Sequence, residues 1–168
     1  MAITYEPIAT TTTTTASPAI TFSSISGTYT DLVLVISIRA NSTPTSFGTG
    51  IRFNSDTGSN YSRTLVYGSG SSATSVRTTN QDRIFFSAGP TAANTFNIIR
   101  LNIMNYSNST TYKTVIARND DIADVTSATA ALWRNTNAIT SITITPYDDN
   151  ATGFATGCTF TLYGIKAA

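Results

Sequence analysis

The chain has 168 residues, ten lysines and arginines against nine aspartates and glutamates, and no histidine. Its net charge of +1 is spread without a basic stripe, so nucleic-acid binding is not expected. A single cysteine excludes an intrachain disulfide; without histidine, neither a zinc site nor Ser-His-Asp or Cys-His catalysis is available.

The first segment, Ile3 to Thr15, ends in six consecutive threonines, Thr10 to Thr15. β-branched residues favour extended backbone, so residues 1–18 read as an extended N-terminal arm or edge strand. Backbone pairing with a neighbouring subunit is the expected use of this segment, and Ser17-Pro18 breaks it. Residues 19–168 then read as one β-sandwich domain, a natural size for a single core.

Ile20 and Phe22 start a strand, and Gly27 to Asp31 turns the chain into an apolar strand from Leu32 to Arg39. There Leu34, Ile36 and Ile38 share one face, while Ser37 and Arg39 take the other. A loop is predicted from Asn41 to Gly50, a short strand around Ile51 and Phe53, and another from Arg63 to Tyr67. The Gly-, Ser- and Thr-rich stretch Gly68 to Thr74 reads as loop. Weaker strands follow at Ser75 to Thr79 and Arg83 to Ser87. In the strong strand from Phe96 to Met104, Ile99, Leu101 and Ile103 alternate with Arg100 and Asn102. Tyr112 to Ala117 is a strand, Asn119-Asp120-Asp121 opens an acidic loop reaching Asp124, and Ala128 to Trp133 is read as strand. Ile139 to Thr145 and Thr159 to Ile165 close the chain, with Cys158 in phase with Phe160 and Leu162. Ten to twelve short strands with little or no helix predict an all-β, antiparallel sandwich.

The carboxylates lie mostly in turn contexts, where Asp caps its own backbone, so no catalytic residue is assigned. Asp120, Asp121, Asp148 and Asp149 are the positions to watch for paired-carboxylate hydrolysis. Three oxygen clusters could offer calcium ligands: Asp56 to Asn60, Asp120-Asp121 with Asp124, and Asp148-Asp149-Asn150. None has the spacing of a calcium loop, so no metal and no cofactor is expected. Five Asn-x-Ser/Thr sequons begin at Asn41, Asn60, Asn105, Asn108 and Asn150, a chance yield of this composition. Tyr61, Tyr67, Tyr106, Tyr147 and Trp133 could stack on sugar rings, although core packing is the commoner use of such rings. The longest apolar run, Leu32 to Ile36, is far short of a membrane span, and no charged and apolar leader marks export.

Several phrases carry a family resemblance. They run from Tyr5-Glu6-Pro7-Ile8-Ala9-Thr10 through Ile20 to Ile25, Tyr29 to Leu34, Phe53 to Tyr61 and Ile139 to Ile144, to Phe160 to Lys166. Asp56-Thr57-Gly58-Ser59-Asn60-Tyr61 and Leu162-Tyr163-Gly164-Ile165-Lys166 are the most distinctive. In this order they resemble a group of tailed-bacteriophage virion proteins, found as short free-standing chains and as fibre modules. The resemblance implies a jelly-roll-like sandwich and a non-enzymatic structural role on the outer surface of the virion, after assembly in the host cytoplasm. A head decoration (cement) protein is the foremost expectation, binding the major capsid protein and copies of itself as a homotrimer. A tail-fibre or tail-tip module binding a receptor or host surface glycan is the alternative, and a sandwich glycan hydrolase comes third. Neither nucleic acid nor membrane is an expected partner.

Overall fold

Residues Asn97–Met104 alternate strictly between buried and outward side chains, as their sequence predicts, and the same rule organises most of the molecule. The computed structural model describes residues 5–42, 47–89, 95–120, 125–147 and 153–166. Among them are twelve strands and no helix. The first six are β1 (Tyr5–Thr12), β2 (Ile20–Phe22), β3 (Asp31–Ile38), β4 (Phe47–Phe53), β5 (Tyr61–Gly68) and β6 (Ala73–Gln81). The second six are β7 (Ile84–Gly89), β8 (Asn97–Met104), β9 (Lys113–Asp120), β10 (Thr126–Trp133), β11 (Ile142–Tyr147) and β12 (Thr159–Ile165). They form an eight-stranded sheet in the order β1-β12-β3-β8-β9-β10-β5-β6 and a four-stranded sheet in the order β2-β11-β4-β7. All recorded pairings are antiparallel, and the two sheets pack as a β-sandwich of jelly-roll type.

The core lies where the period-2 faces put it. Ile36, Ile99, Leu101, Ile142, Phe160 and Leu162 are all fully buried. Phe160 meets Phe154 edge-on at 5.0 Å between ring centroids, and Phe154 meets Phe47 at 6.3 Å. Cys158 is buried as expected, and burial pushes its thiol above the ordinary range.

Four local expectations need correction. Phe47 to Gly50 belongs to β4 rather than to a loop, because Gly48, Thr49 and Gly50 are buried and small residues fit a strand covered on both faces. β6 begins at Ala73 and pairs with β5 as far as Gly68, so the predicted loop contracts to four residues, 69–72. Asn119 and Asp120 finish β9 instead of opening a loop; Asn119 is buried and its Oδ1 accepts from the Ser127 hydroxyl. β11 starts at Ile142 rather than Ile139, since Ile139 to Ser141 turns over Asn54, whose Oδ1 accepts from Thr140 and Ser141 amides.

The threonine-rich N-terminal segment is an edge strand of the large sheet rather than a free arm. β1 pairs along its length with β12 of its own chain, with one register shift between Pro7 and Ala9. Ile8 and Ala9 pack against the core from this edge. Beyond it, Thr13 is buried: its amide donates to Cys158 O at 2.9 Å, and its hydroxyl accepts from Cys158 N at 2.9 Å.

Gly164 in β12 is needed for close approach. A Cβ there would stand 2.3 Å from the Tyr29 ring, which lies over the glycine. Lys166 sits over the same ring at 5.5 Å and pairs with Glu6 at 2.8 Å. Gly58, although it sits in a turn, does not take the left-handed backbone. Asn54 and Ser55 do so instead, with φ of 50° and 56°. Gly58 is small because a Cβ would press on Asn60 and Asp56, at 2.8 and 3.1 Å.

Candidate functional site: the outer face of the large sheet

Antiparallel register lines up the outward side chains of the eight-stranded sheet in rows. One row runs Thr161, Val35, Arg100, Arg118, Ala128, Val66 and Ser75 across six strand pairings. The next runs Tyr163, Val33, Asn102, Ile116, Ala130, Thr64 and Arg77, of which Val33 is buried among its neighbours. This surface keeps large apolar groups in solvent: Ile98, Met104, Ile116 and Val66 are 50%, 40%, 55% and 53% exposed. Shallow grooves cross it, one lined by Arg100, Asn102, Met104, Ile116 and Arg118. Another passes between Val66, Ala73, Arg118 and Ala128.

At the centre, Arg100 and Arg118 are direct register partners, both exposed. Opposed side chains of an antiparallel pair have Cβ atoms about 4.5–5.5 Å apart, and like charges so placed repel. Arg100 donates to the Tyr5 hydroxyl at 3.2 Å, and neither arginine has a carboxylate partner among the described residues.

The aromatic residues offered as sugar-stacking candidates divide. Tyr61, Trp133 and Tyr106 are fully buried, which removes them as surface platforms. Tyr61 and Trp133 stack at 6.2 Å, and Phe53 tilts against both. The Tyr106 hydroxyl donates to Ser26 O and accepts from the Tyr29 amide. Tyr147 remains 52% exposed beside Phe85, at 4.3 Å, and Tyr67 is half-buried.

The described carboxylates are structural. Asp56 accepts from Trp133 Nε1 at 2.7 Å, Gly58 N at 2.8 Å and Asn60 Nδ2 at 2.9 Å. Burial pushes this carboxyl up, but the hydrogen bonds from Trp133, Asn60 and Gly58 outweigh it and hold it low. These contacts explain the Asp56 to Asn60 phrase as a clasp on the aromatic cluster rather than a calcium loop. Asp31 accepts from the Asn105 amide at 2.7 Å, and Glu6 pairs with Lys166. Asp121, Asp124, Asp148, Asp149 and Asn150 lie outside the described residues, as does the side chain of Asp120. Among the described residues no group of three or more His, Cys, Asp or Glu side chains converges. No helix of the described residues is long and apolar enough to cross a membrane.

Asp82 binds Arg83 at 2.7 Å and also Arg52, tying the turn before β7 to β4. Hydrogen bonding from Arg83 comes first, burial opposes it, and Arg52 adds; together they take the carboxyl from its ordinary 3.8 to about 2. A carboxylate held low in the folded state stabilises above its unfolded pKa, and that contribution fades as pH falls through the folded value. Between about pH 4 and pH 2 the protein should therefore lose stability. The D82N variant should show a shallower fall over the same window in thermal melts, and identical slopes would show the cluster to be inert.

The arginine pair was not singled out by sequence reading. Alternation in β8 and β9 puts each arginine on an outward face, but only the register makes them neighbours.

No protein-family model and no curated protein sequence matches the chain. Solved structures match in fold. The galectin LEC-6 of Caenorhabditis elegans aligns over 90% of this chain and 94% of its own, at 9% identity and a TM-score of 0.38. The alginate lyase Aly36B aligns over 93% and 77%, at 10% identity and a TM-score of 0.38. The CBM40 of Ruminococcus gnavus IT-sialidase, solved with α2,3-sialyllactose, aligns over 97% and 95% at 11% identity and a TM-score of 0.34. These likenesses concern the β-sandwich alone.

Proposed function

We propose that this protein is a non-enzymatic structural component of a bacteriophage virion, a head decoration protein that docks on the shell through the outer face of its large sheet. One observation carries the docking role: a broad, continuous sheet face that leaves Ile98, Met104, Ile116 and Val66 in solvent around a pair of arginines. Met and Arg are enriched at protein interfaces, and so is an apolar centre with few charges. Eight strands at about 4.8 Å spacing and six or seven residues each make a face of about 34 by 20 Å, roughly 700 Å². That is close to the roughly 800 Å² per partner of a standard interface. The assignment to a virion rests on the resemblance carried by the sequence phrases, chief among them Asp56 to Tyr61 and Leu162 to Lys166.

A non-catalytic reading accords with the chemistry available. Histidine is absent, and Glu6, Asp31, Asp56 and Asp82 each hold structural partners. A tail-tip or glycan-binding role is the weaker reading, because Tyr61, Tyr106 and Trp133 are buried in the core and the most exposed large groups of the open face are the aliphatic Ile98, Ile116 and Val66.

Purified protein added to heads that lack it should bind at saturating occupancy. The I116E variant, which leaves the core untouched, should lower occupancy at least tenfold while keeping the wild-type melting temperature. Unchanged occupancy with I116E would remove this face from the docking role.

A further inference from the structure

We infer that Arg100 and Arg118 form a carboxylate-binding pair that receives acidic side chains of a partner protein. The inference rests on reading the large sheet's outer face as the docking surface. It adds the chemistry of the occupant.

The two guanidinium groups start from register-paired positions at the middle of an open face. Like charges opposed in register repel, and a carboxylate placed between them offsets that repulsion. A guanidinium presents a planar fork that takes both oxygens of a carboxylate, which a lysine cannot do. Tyr5 steadies Arg100 by accepting one hydrogen bond, and Asn102 lines the same groove with further amide capacity.

Of the two acids in line with the pair, one is close and the other distant. Asp31 lies four residues from Val35, the register partner of Arg100, which is about 14 Å along the strand. Its carboxylate is already engaged by Asn105. Asp120 is in register with Ile98, one row from the pair. Arg77, the third cation of the face, is in register with Thr64 and lies three strands from β9, about 14 Å away.

The surroundings select a protein over other anionic partners. Ile98, Met104, Ile116 and Val66 flank the pair, and the rings of this face, Tyr5 and Tyr163 at its β1–β12 edge, pack edge-on against each other at 6.4 Å. Nucleic acid would ask for a longer cationic track than two central arginines and Arg77. A second copy packed face to face would set arginines against arginines about a two-fold axis, so self-association through this surface is disfavoured. What remains complementary is a protein surface bearing Asp or Glu within an apolar border.

The test uses the full chain with hexaglutamate as probe, followed through the arginine Nε–H resonances in NMR titrations. Hexaglutamate should shift the Arg100 and Arg118 signals, and the R100K/R118K double variant, equal in charge, should bind at least tenfold more weakly. R77Q should bind within twofold of the wild type. Absent shifts at both arginines, or an equal loss in R77Q, would overturn the pair as a specific site. Tighter binding of an oligo-uronate of matched charge would overturn the protein occupant in favour of an acidic glycan. If hexaglutamate binds as stated but R100K/R118K occupies heads as fully as the wild type, the pair stands and the docking reading of this face fails.

Discussion

Phe160→Ala should cost about 3–5 kcal/mol of stability, the range for emptying a large aromatic site in a core that only partly collapses. Phe160 is fully buried on β12 and meets Phe154 edge-on at 5.0 Å, and Phe154 in turn meets Phe47. The aromatic chain thus joins the large sheet to β4 of the small one. Phe154 also forms isolated bridges with Ser17 and Ala40, so a hole at Phe160 loosens two flanking segments as well. At this chain length the loss should appear as a fall of roughly 6–20 °C in melting temperature. Thr161 is the control, one residue along on the opposite face, where its hydroxyl meets that of Thr10 at 3.2 Å in an exposed contact. Thr161→Ala should lie within about 0.5 kcal/mol of the wild type. Equal losses at the two positions would mean that β12 is covered on both faces.

Deleting residues 2–15 should cripple folding rather than trim an accessory arm. The deletion removes β1, exposes the whole edge of β12, and takes Ile8 and Ala9 from the core margin. It also removes Thr13, whose backbone and hydroxyl satisfy the amide and carbonyl of Cys158 at a buried site. A buried polar group left without its partner costs about 1–3 kcal/mol, and two such groups are left here. Added to the lost ladder, the deficit reaches on the order of 5 kcal/mol, comparable with the whole stability of many domains. Circular dichroism melts should show a shift of about 10 °C or more, or no cooperative transition. A truncated chain that melts like the intact one would show that β1 only rests on the sheet.

Strands with a clean two-residue period were legible before any coordinates. Leu34, Ile36 and Ile38, Ile99, Leu101 and Ile103, and Phe160 with Leu162 all point inward as their alternation requires. Phe47 to Gly50 was not, because glycine and threonine carry turn signals, and only burial on both faces makes them a strand. Asn119 and Asp120 misled for a similar reason: their turn propensity yields to pairing with Ser127 and Thr126.

Trp133 and Tyr61 resembled surface rings because aromatic residues serve both cores and binding faces. Asp56 decides between the two by accepting the indole N–H, a contact across 77 positions of sequence. The arginine pair has the same origin. Local alternation gives Arg100 and Arg118 an outward face each, whereas their meeting depends on which strands pair and in what register.

The central claim, a decoration protein of the virion head, is tested most directly by the number of copies in purified particles. Quantitative mass spectrometry of virions, with a tail protein and the major capsid protein as internal references, measures it in one experiment. A decoration protein occupies equivalent lattice positions, so the account predicts a copy number in the range of the major capsid protein, on the order of hundreds per particle. A few to a few dozen copies would place the chain on the tail, and its absence from particles would contradict a virion role altogether.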